Sequence, residues 1–208
     1  MESLVRGGTR WRRFAVVMVP SVAATAAIGV ALAQGALAAS FSVSGQQFKV
    51  HADTLHGNHF VQYGTVDAPA GQGHVAVVVS AFTDATITGL CQSVVIPAPF
   101  VGDVTMVLKA GGGKDPVTAH NLYIDLDQLD ADATFTNINI GVAAGSNSQV
   151  EDSVRTDPRM GGEFAQEAES ADLTNVNQTA WATSAGTFKL AGLSLRLHKG
   201  SGPGVECY

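Results

Sequence analysis

From Phe41 onward, apolar residues recur at every second position, the period of half-buried β-strands. Phe41, Val43, Phe48 and Val50 form two short alternating pieces around Gly45-Gln46-Gln47, whereas Val75 to Phe82 is nearly continuous apolar, as expected of a strand buried on both faces. Val104, Met106 and Leu108 alternate up to a flexible turn at Gly111-Gly112-Gly113. Leu122, Ile124 and Leu126 alternate with Tyr123, Asp125 and Asp127, followed by Phe135, Ile138 and Ile140. Phe188, Leu190, Leu193, Leu195 and Leu197 close the chain against Lys189, Ser194, Arg196 and His198. Helical spacing is confined to Gly162 to Ala171, where Phe164, Ala165 and Ala168 are set among Glu163, Glu167 and Glu169. Segments rich in loop residues run from Asp67 to Gly73 and from Gly145 to Gly162. The pattern predicts one mainly β domain, either a β-sandwich or a long curved antiparallel sheet, with one short helix. Three loosely similar stretches, Asp84 to Leu90, Asp132 to Ile138 and Ala171 to Val176, predict that strands with Thr on one face recur.

Residues 1–38 follow another rule. A basic stretch to Arg13 precedes an apolar run from Phe14 to Leu32, and Ala36-Leu37-Ala38 has the small-x-small form of a cleavage site. This is the pattern of a signal peptide, with Pro20 and the Ala-rich composition favouring cleavage over a permanent span. The run approaches the roughly 20 residues that cross a bilayer, so an uncleaved N-terminal anchor helix is the alternative. Arg12-Arg13-Phe14 is close to a twin-arginine signal, but Phe14 falls one place early for it. Either route predicts a domain, residues 39–208, that is secreted or held at the extracellular face of the envelope.

Setting the leader aside changes the charge. The whole chain of 208 residues carries −6, but residues 39–208 hold 8 Lys and Arg against 17 Asp and Glu, a formal −9. Such a surface argues against nucleic acid as a partner. Cys91 and Cys207 are the two cysteines, and outside the cytoplasm a lone pair predicts a disulfide tying the C-terminal tail to the middle of the domain. Closing so long a loop stabilises by about 4 to 5 kcal/mol in the chain-entropy model.

Candidate chemistry is sparse. No Gly-x-Ser-x-Gly elbow occurs; the nearest form is Ala182-Thr183-Ser184-Ala185-Gly186, with His198 downstream as the candidate base for Ser184. No Asp or Glu separates them. Asp125, Asp127, Asp130 and Asp132 offer hard oxygen ligands that suit calcium if alternation brings Asp125 and Asp127 to one face. No other cofactor is expected. His51, His56 and His59 fall within nine residues, with His74 beyond, and read as surface histidines more readily than as a zinc set. Asn177-Gln178-Thr179 has the glycosylation-acceptor form.

The chain as a whole resembles a secreted streptomycete family. The leader from Gly7-Gly8-Thr9-Arg10-Trp11 to Ala38-Ala39-Ser40 carries the resemblance, with Phe41-Ser42-Val43-Ser44-Gly45, Asn121-Leu122-Tyr123-Ile124-Asp125, Gln178-Thr179-Ala180-Trp181-Ala182-Thr183 and Leu197-His198-Lys199-Gly200. Members of that family commonly carry the label cholesterol esterase, and the family is also filed as a domain of unknown function. The resemblance implies an exported actinobacterial protein acting on sterol esters or related lipids, and it assigns no catalytic residue. The residues themselves favour the alternative of a non-catalytic envelope protein whose sheet binds lipid or packs against envelope components.

Overall fold

A computed structural model describes residues 44–144, 146, 162 and 164–208. The expected leader, and most of the Gly145 to Gly162 loop, lie outside the described residues. Eight strands follow in order: β1 (Phe48–Asp67), β2 (Val75–Thr88), β3 (Leu90–Ala98), β4 (Gly102–Ala110), β5 (Val117–Thr136), β6 (Asn139–Ala143), β7 (Phe164–Lys189) and β8 (Ser194–Lys199). They form one antiparallel sheet in the order β6-β7-β5-β2-β1-β3-β4-β8. Among the described residues there is no helix. The helix expected over Gly162 to Ala171 is the start of β7: Ala165, Ala168 and Ala171 are buried by pairing with Tyr63, Phe60 and Gly57 of β1. Ala and Glu are good helix formers, but that preference amounts to only a few tenths of a kcal/mol per residue, about the scale on which a long-range ladder overrides it.

The eight strands are pieces of four long arms. Thr54 pairs with Thr88 and His51 with Cys91 in one unbroken register, so β2 and β3 make a single arm interrupted only at Gly89. Similarly, β4, β5 and β6 make one arm, with an excursion through Gly111 to Pro116 after β4 and with β6 continuing the register of β5 along β7, while β7 and β8 are joined through a short turn after Lys189. Neighbouring arms meet as antiparallel hairpins. A further pairing of β7 with β1 then closes β1, β2, β5 and β7 into a ring. The ring is steeply staggered: from Tyr63 one route reaches β7 directly at Ala165, and the other, through Val79 and Asp125, reaches it at Ala182.

Strands this long can keep one face inward only if something resets their alternation. Two rows of left-handed residues do so. In the first, His59 of β1 (φ 53°) and Asn121 of β5 (φ 50°) flank Thr83 of β2. In the second, Asn175 of β7 (φ 53°) faces Asp53 of β1, which faces Gly89 (φ 62°), whose N–H donates to the carbonyl of Gly111 (φ 65°) at 3.0 Å. Buried positions change parity across each row. In β5, Val117 and Ala119 give way to Leu122, Ile124 and Leu126; in β7, Ala171 and Leu173 give way to Val176, Gln178 and Ala180. Each left-handed residue acts as a bulge does, bending the strand and re-aiming its side chains. Asn and Gly stand at most of these points because they tolerate φ > 0 best.

The main core fills the ring. Phe60 lies between Phe82 and Phe135, with ring centroids 5.3 and 5.2 Å apart, among Leu55, Leu122, Ile124 and Val176. A smaller core of Val61, Tyr63, Val79, Ala81 and Ala165 lies with Ala144 and Val142. With cores on both sides, Val77 to Thr83 is buried almost throughout except for half-buried Val78, which accounts for the continuous apolar run. Cys91 and Cys207 are joined in a disulfide. The tail is held further by Cys207 N–H donating to Ser93 Oγ at 3.1 Å and by a Lys49–Glu206 ion pair at 2.9 Å. At the opposite end of the order from β6, β8 is an edge strand, and Leu193, Leu195 and Leu197 are exposed there rather than packed in a core.

Candidate functional site

Inside the ring the side chains leave a cavity of about 210 Å³. Its walls are Leu55 and Phe60 from β1, Phe82 from β2, Ile124, Leu129 and Phe135 from β5, and Leu173 and Val176 from β7. Each reaches the interior because the left-handed rows keep the apolar parity inward on its arm. A polar row crosses one side: Gln166 Nε2 donates to Gln62 Oε1, and Gln62 Nε2 donates to Ser80 Oγ at 2.8 Å. Gln62 is the direct cross-strand partner of both residues, so the row follows from register. Gln178, also buried, contributes a second amide to the wall. A smaller void of about 30 Å³ continues from it, sharing Leu55, Ile124, Val176 and Gln178.

The cavity has a mouth. Beyond Leu126, the last partner of β2, β5 keeps β7 on one edge and has no strand on its other edge among the described residues. Ala131 and Ala133 line the cavity along this stretch and are themselves exposed. Small side chains at these two positions leave the entrance open.

The proposed nucleophile and base are not brought together. Ser184 sits in β7 opposite Tyr123 of β5, whereas His198 sits in β8 opposite Thr105 of β4, far along the same arm. At about 3.3 Å per residue this separation is well beyond hydrogen-bond reach. Thr183 faces the smaller void, so its neighbour Ser184 points to the other side of the strand, and neither Ser184 nor His198 lines the interior cavity. The Ser184–His198 pairing is therefore corrected: an elbow needs a strand-to-helix turn, and this segment is mid-strand.

The acidic run is dispersed as well. Register shifts at Leu126 and Asp130 break the alternation, leaving Asp125 buried and Asp127 exposed, which corrects the expectation that both share a face. Asp127 accepts from Gln47, Asp130 from Gln128 at 2.7 Å, and Asp132 from Asn175 at 3.1 Å. Among the described residues, no three His, Cys, Asp or Glu side chains converge as a metal site would require.

The histidines are distributed over cross-strand pairs. His51 Nδ1 meets Asn177 Oδ1 at 2.8 Å, His56 Nδ1 meets Asp172 Oδ1 at 2.6 Å and His120 Nδ1 meets Asp84 Oδ1 at 2.9 Å. Each pair is a directly opposed position of the ladder. His59 is used as a left-handed bend, and His74 is exposed beside β2. Asn177, the sequon asparagine, is half-buried in mid-strand with its side chain engaged by His51, which disfavours it as a glycan acceptor.

The residues that build the cavity carry no motif. Phe60, Phe82 and Phe135 are spread along the chain and converge only after ring closure; the interruptions of alternation at His59, Asn121 and Asn175 were the available signal. No curated protein and no solved structure matches the chain. Residues 44–208, the greater part of the sequence and all of the ring, match a family of unknown function (DUF6230), and the chain belongs to that family.

Proposed function

We propose that the protein is a non-catalytic lipid-binding protein of the cell exterior that takes one acyl chain into the interior of the strand ring. The observation that carries this reading is the cavity of about 210 Å³, walled by three Phe and several aliphatic residues and open beside Ala131 and Ala133. Drug-sized ligands occupy sites of about 300–1,000 Å³. The smaller volume here favours a slender chain over a fused ring system. Gln62, Ser80 and Gln178 offer hydrogen bonds to an ester or carboxyl end, as the few polar groups of an apolar site usually do. The leader supports a location outside the cytoplasm, and the resemblance to proteins labelled cholesterol esterase supports lipid esters as the ligand class. Hydrolysis is left out of the proposal because Ser184 and His198 lie apart.

The test is a titration of the purified protein with a fluorescent fatty acid and with a cholesteryl ester, beside Ala133→Trp, which would plug the mouth at an exposed position. Saturable binding by the wild type, lost in Ala133→Trp at unchanged thermal stability, is expected. Equal binding by the variant, or none by the wild type, would place the ligand elsewhere. Release of free sterol from the ester would overturn the non-catalytic reading.

A further inference from the structure

A second cleft, unrelated to the interior cavity, lies over β3, β4 and β8 beneath the disulfide-anchored tail. Its volume is about 650 Å³, and its floor includes the buried residues Leu90, Cys91, Val107 and Ala110. In a domain carrying −9, the charges lining this cleft are mostly basic. Lys109 of β4 is paired in register with Ser194 of β8, and Val107 with Arg196, so Lys109 and Arg196 are diagonal neighbours on one face, with His198 two residues beyond Arg196. Diagonal neighbours on a sheet are about 7–8 Å apart, close enough for like charges to repel. Neither Lys109 nor Arg196 has an ion-pair or hydrogen-bond partner among the described residues. The cleft's one carboxylate, Glu206, is already held by Lys49 and by the N–H of Gly202. Gly112 and Gly113 form part of the rim with open space around them, so a ligand can approach the backbone closely.

Two adjacent uncompensated cations, one of them the planar donor fork of an arginine, with a histidine in line, match a polyvalent oxyanion. We propose that this cleft binds a phosphate group, carried either by a soluble small molecule or by an anionic lipid headgroup. The site goes beyond the lipid-chain reading of the ring interior and does not depend on it.

Calorimetry of the intact protein with inorganic phosphate at low salt, together with sedimentation on phosphatidylglycerol and on phosphatidylcholine vesicles, tests it. Phosphate binding by the wild type should weaken about tenfold or more in Lys109→Gln/Arg196→Gln. It should be retained in Lys189→Gln, a basic residue outside the cleft. Both cleft substitutions are at exposed positions, and circular dichroism checks that the sheet is intact. Binding to phosphatidylglycerol vesicles that phosphate competes away assigns a headgroup; phosphate binding without vesicle binding assigns a soluble ligand. Neither phosphate nor vesicle binding at low salt, or binding of equal strength in the double variant, overturns the proposal.

Discussion

The ring of Phe82 covers the backbone of Gly57, so a β-carbon at position 57 would overlap the aromatic carbons. Gly57 is paired with Ala85 on one side and Ala171 on the other, and Phe82 packs against Phe60 on one side and faces the interior cavity on the other. Three small residues in a row thus make the bed for one large one, which is how a narrow ring accommodates phenylalanine.

Gly57→Val should therefore destabilise the domain by about 1–3 kcal/mol, the usual cost of overpacking a filled core. Phe82→Ala should cost about 3–5 kcal/mol by leaving a void next to the existing cavity. Urea unfolding of the two variants measures both. An unchanged midpoint for Gly57→Val would show that the Phe82 ring yields freely.

Gly89 is the left-handed link between β2 and β3, directly opposite Asp53. Gly89→Ala forces an L side chain into φ 62° and toward the Asp53 carboxylate. A loss of about 1–2 kcal/mol is expected from the backbone alone. Asp53 is mostly exposed and can swing aside, so Asp53→Ala should rescue little of that loss. Full rescue in the double variant would mean that the side-chain clash, and not the backbone, sets the cost.

The disulfide spans 116 residues and adds a covalent tie to a tail also held by Ser93, Lys49 and Thr179. Replacing both Cys91 and Cys207 with Ser should lower stability by about 2–5 kcal/mol, seen as a drop in Tm. The same variant loosens one wall of the basic cleft, which Cys207 lines. A Tm unaffected by the double substitution would contradict the entropic account.

The Lys49–Glu206 pair predicts a pH dependence. The hydrogen bond from Lys49, opposed by burial and reinforced by the Gly202 N–H, holds the Glu206 carboxyl below its ordinary 4.5. A carboxylate whose folded value is depressed contributes stability that is complete above the unfolded value and is lost as pH falls through the folded one. Glu206→Gln should therefore be less stable than the wild type at neutral pH, with the difference shrinking as pH falls below the unfolded value of 4.5 and through the lower folded one. Paired denaturation curves from neutral pH down into acid decide it; a gap that does not shrink with falling pH would assign the effect to packing.

Much of the fold was readable along the chain, because a period of two needs only neighbouring residues. Leu122, Ile124 and Leu126 announce a strand, and they lie in one, β5. The helix expected at Gly162 failed because the local helix preference of Ala and Glu is small, and β1, about a hundred residues away in the chain, supplied the hydrogen bonds that made the segment a strand. Leu193, Leu195 and Leu197 alternate as a core strand does, yet their place at the sheet edge leaves them exposed. The pairing of Cys91 with Cys207 needed only the count of two cysteines.

Sequence by itself determined that the domain is mainly β, that the two cysteines have only each other, and that negative charge prevails. Those conclusions follow from side-chain chemistry, counting and local alternation. Only the tertiary structure decided that the arms close into a ring, that Phe60, Phe82 and Phe135 surround a cavity, that Ser184 and His198 stand apart, and that Lys109 and Arg196 stand together. Register decides each of these, and a single left-handed residue such as Asn121 or Asn175 shifts the face of every side chain after it.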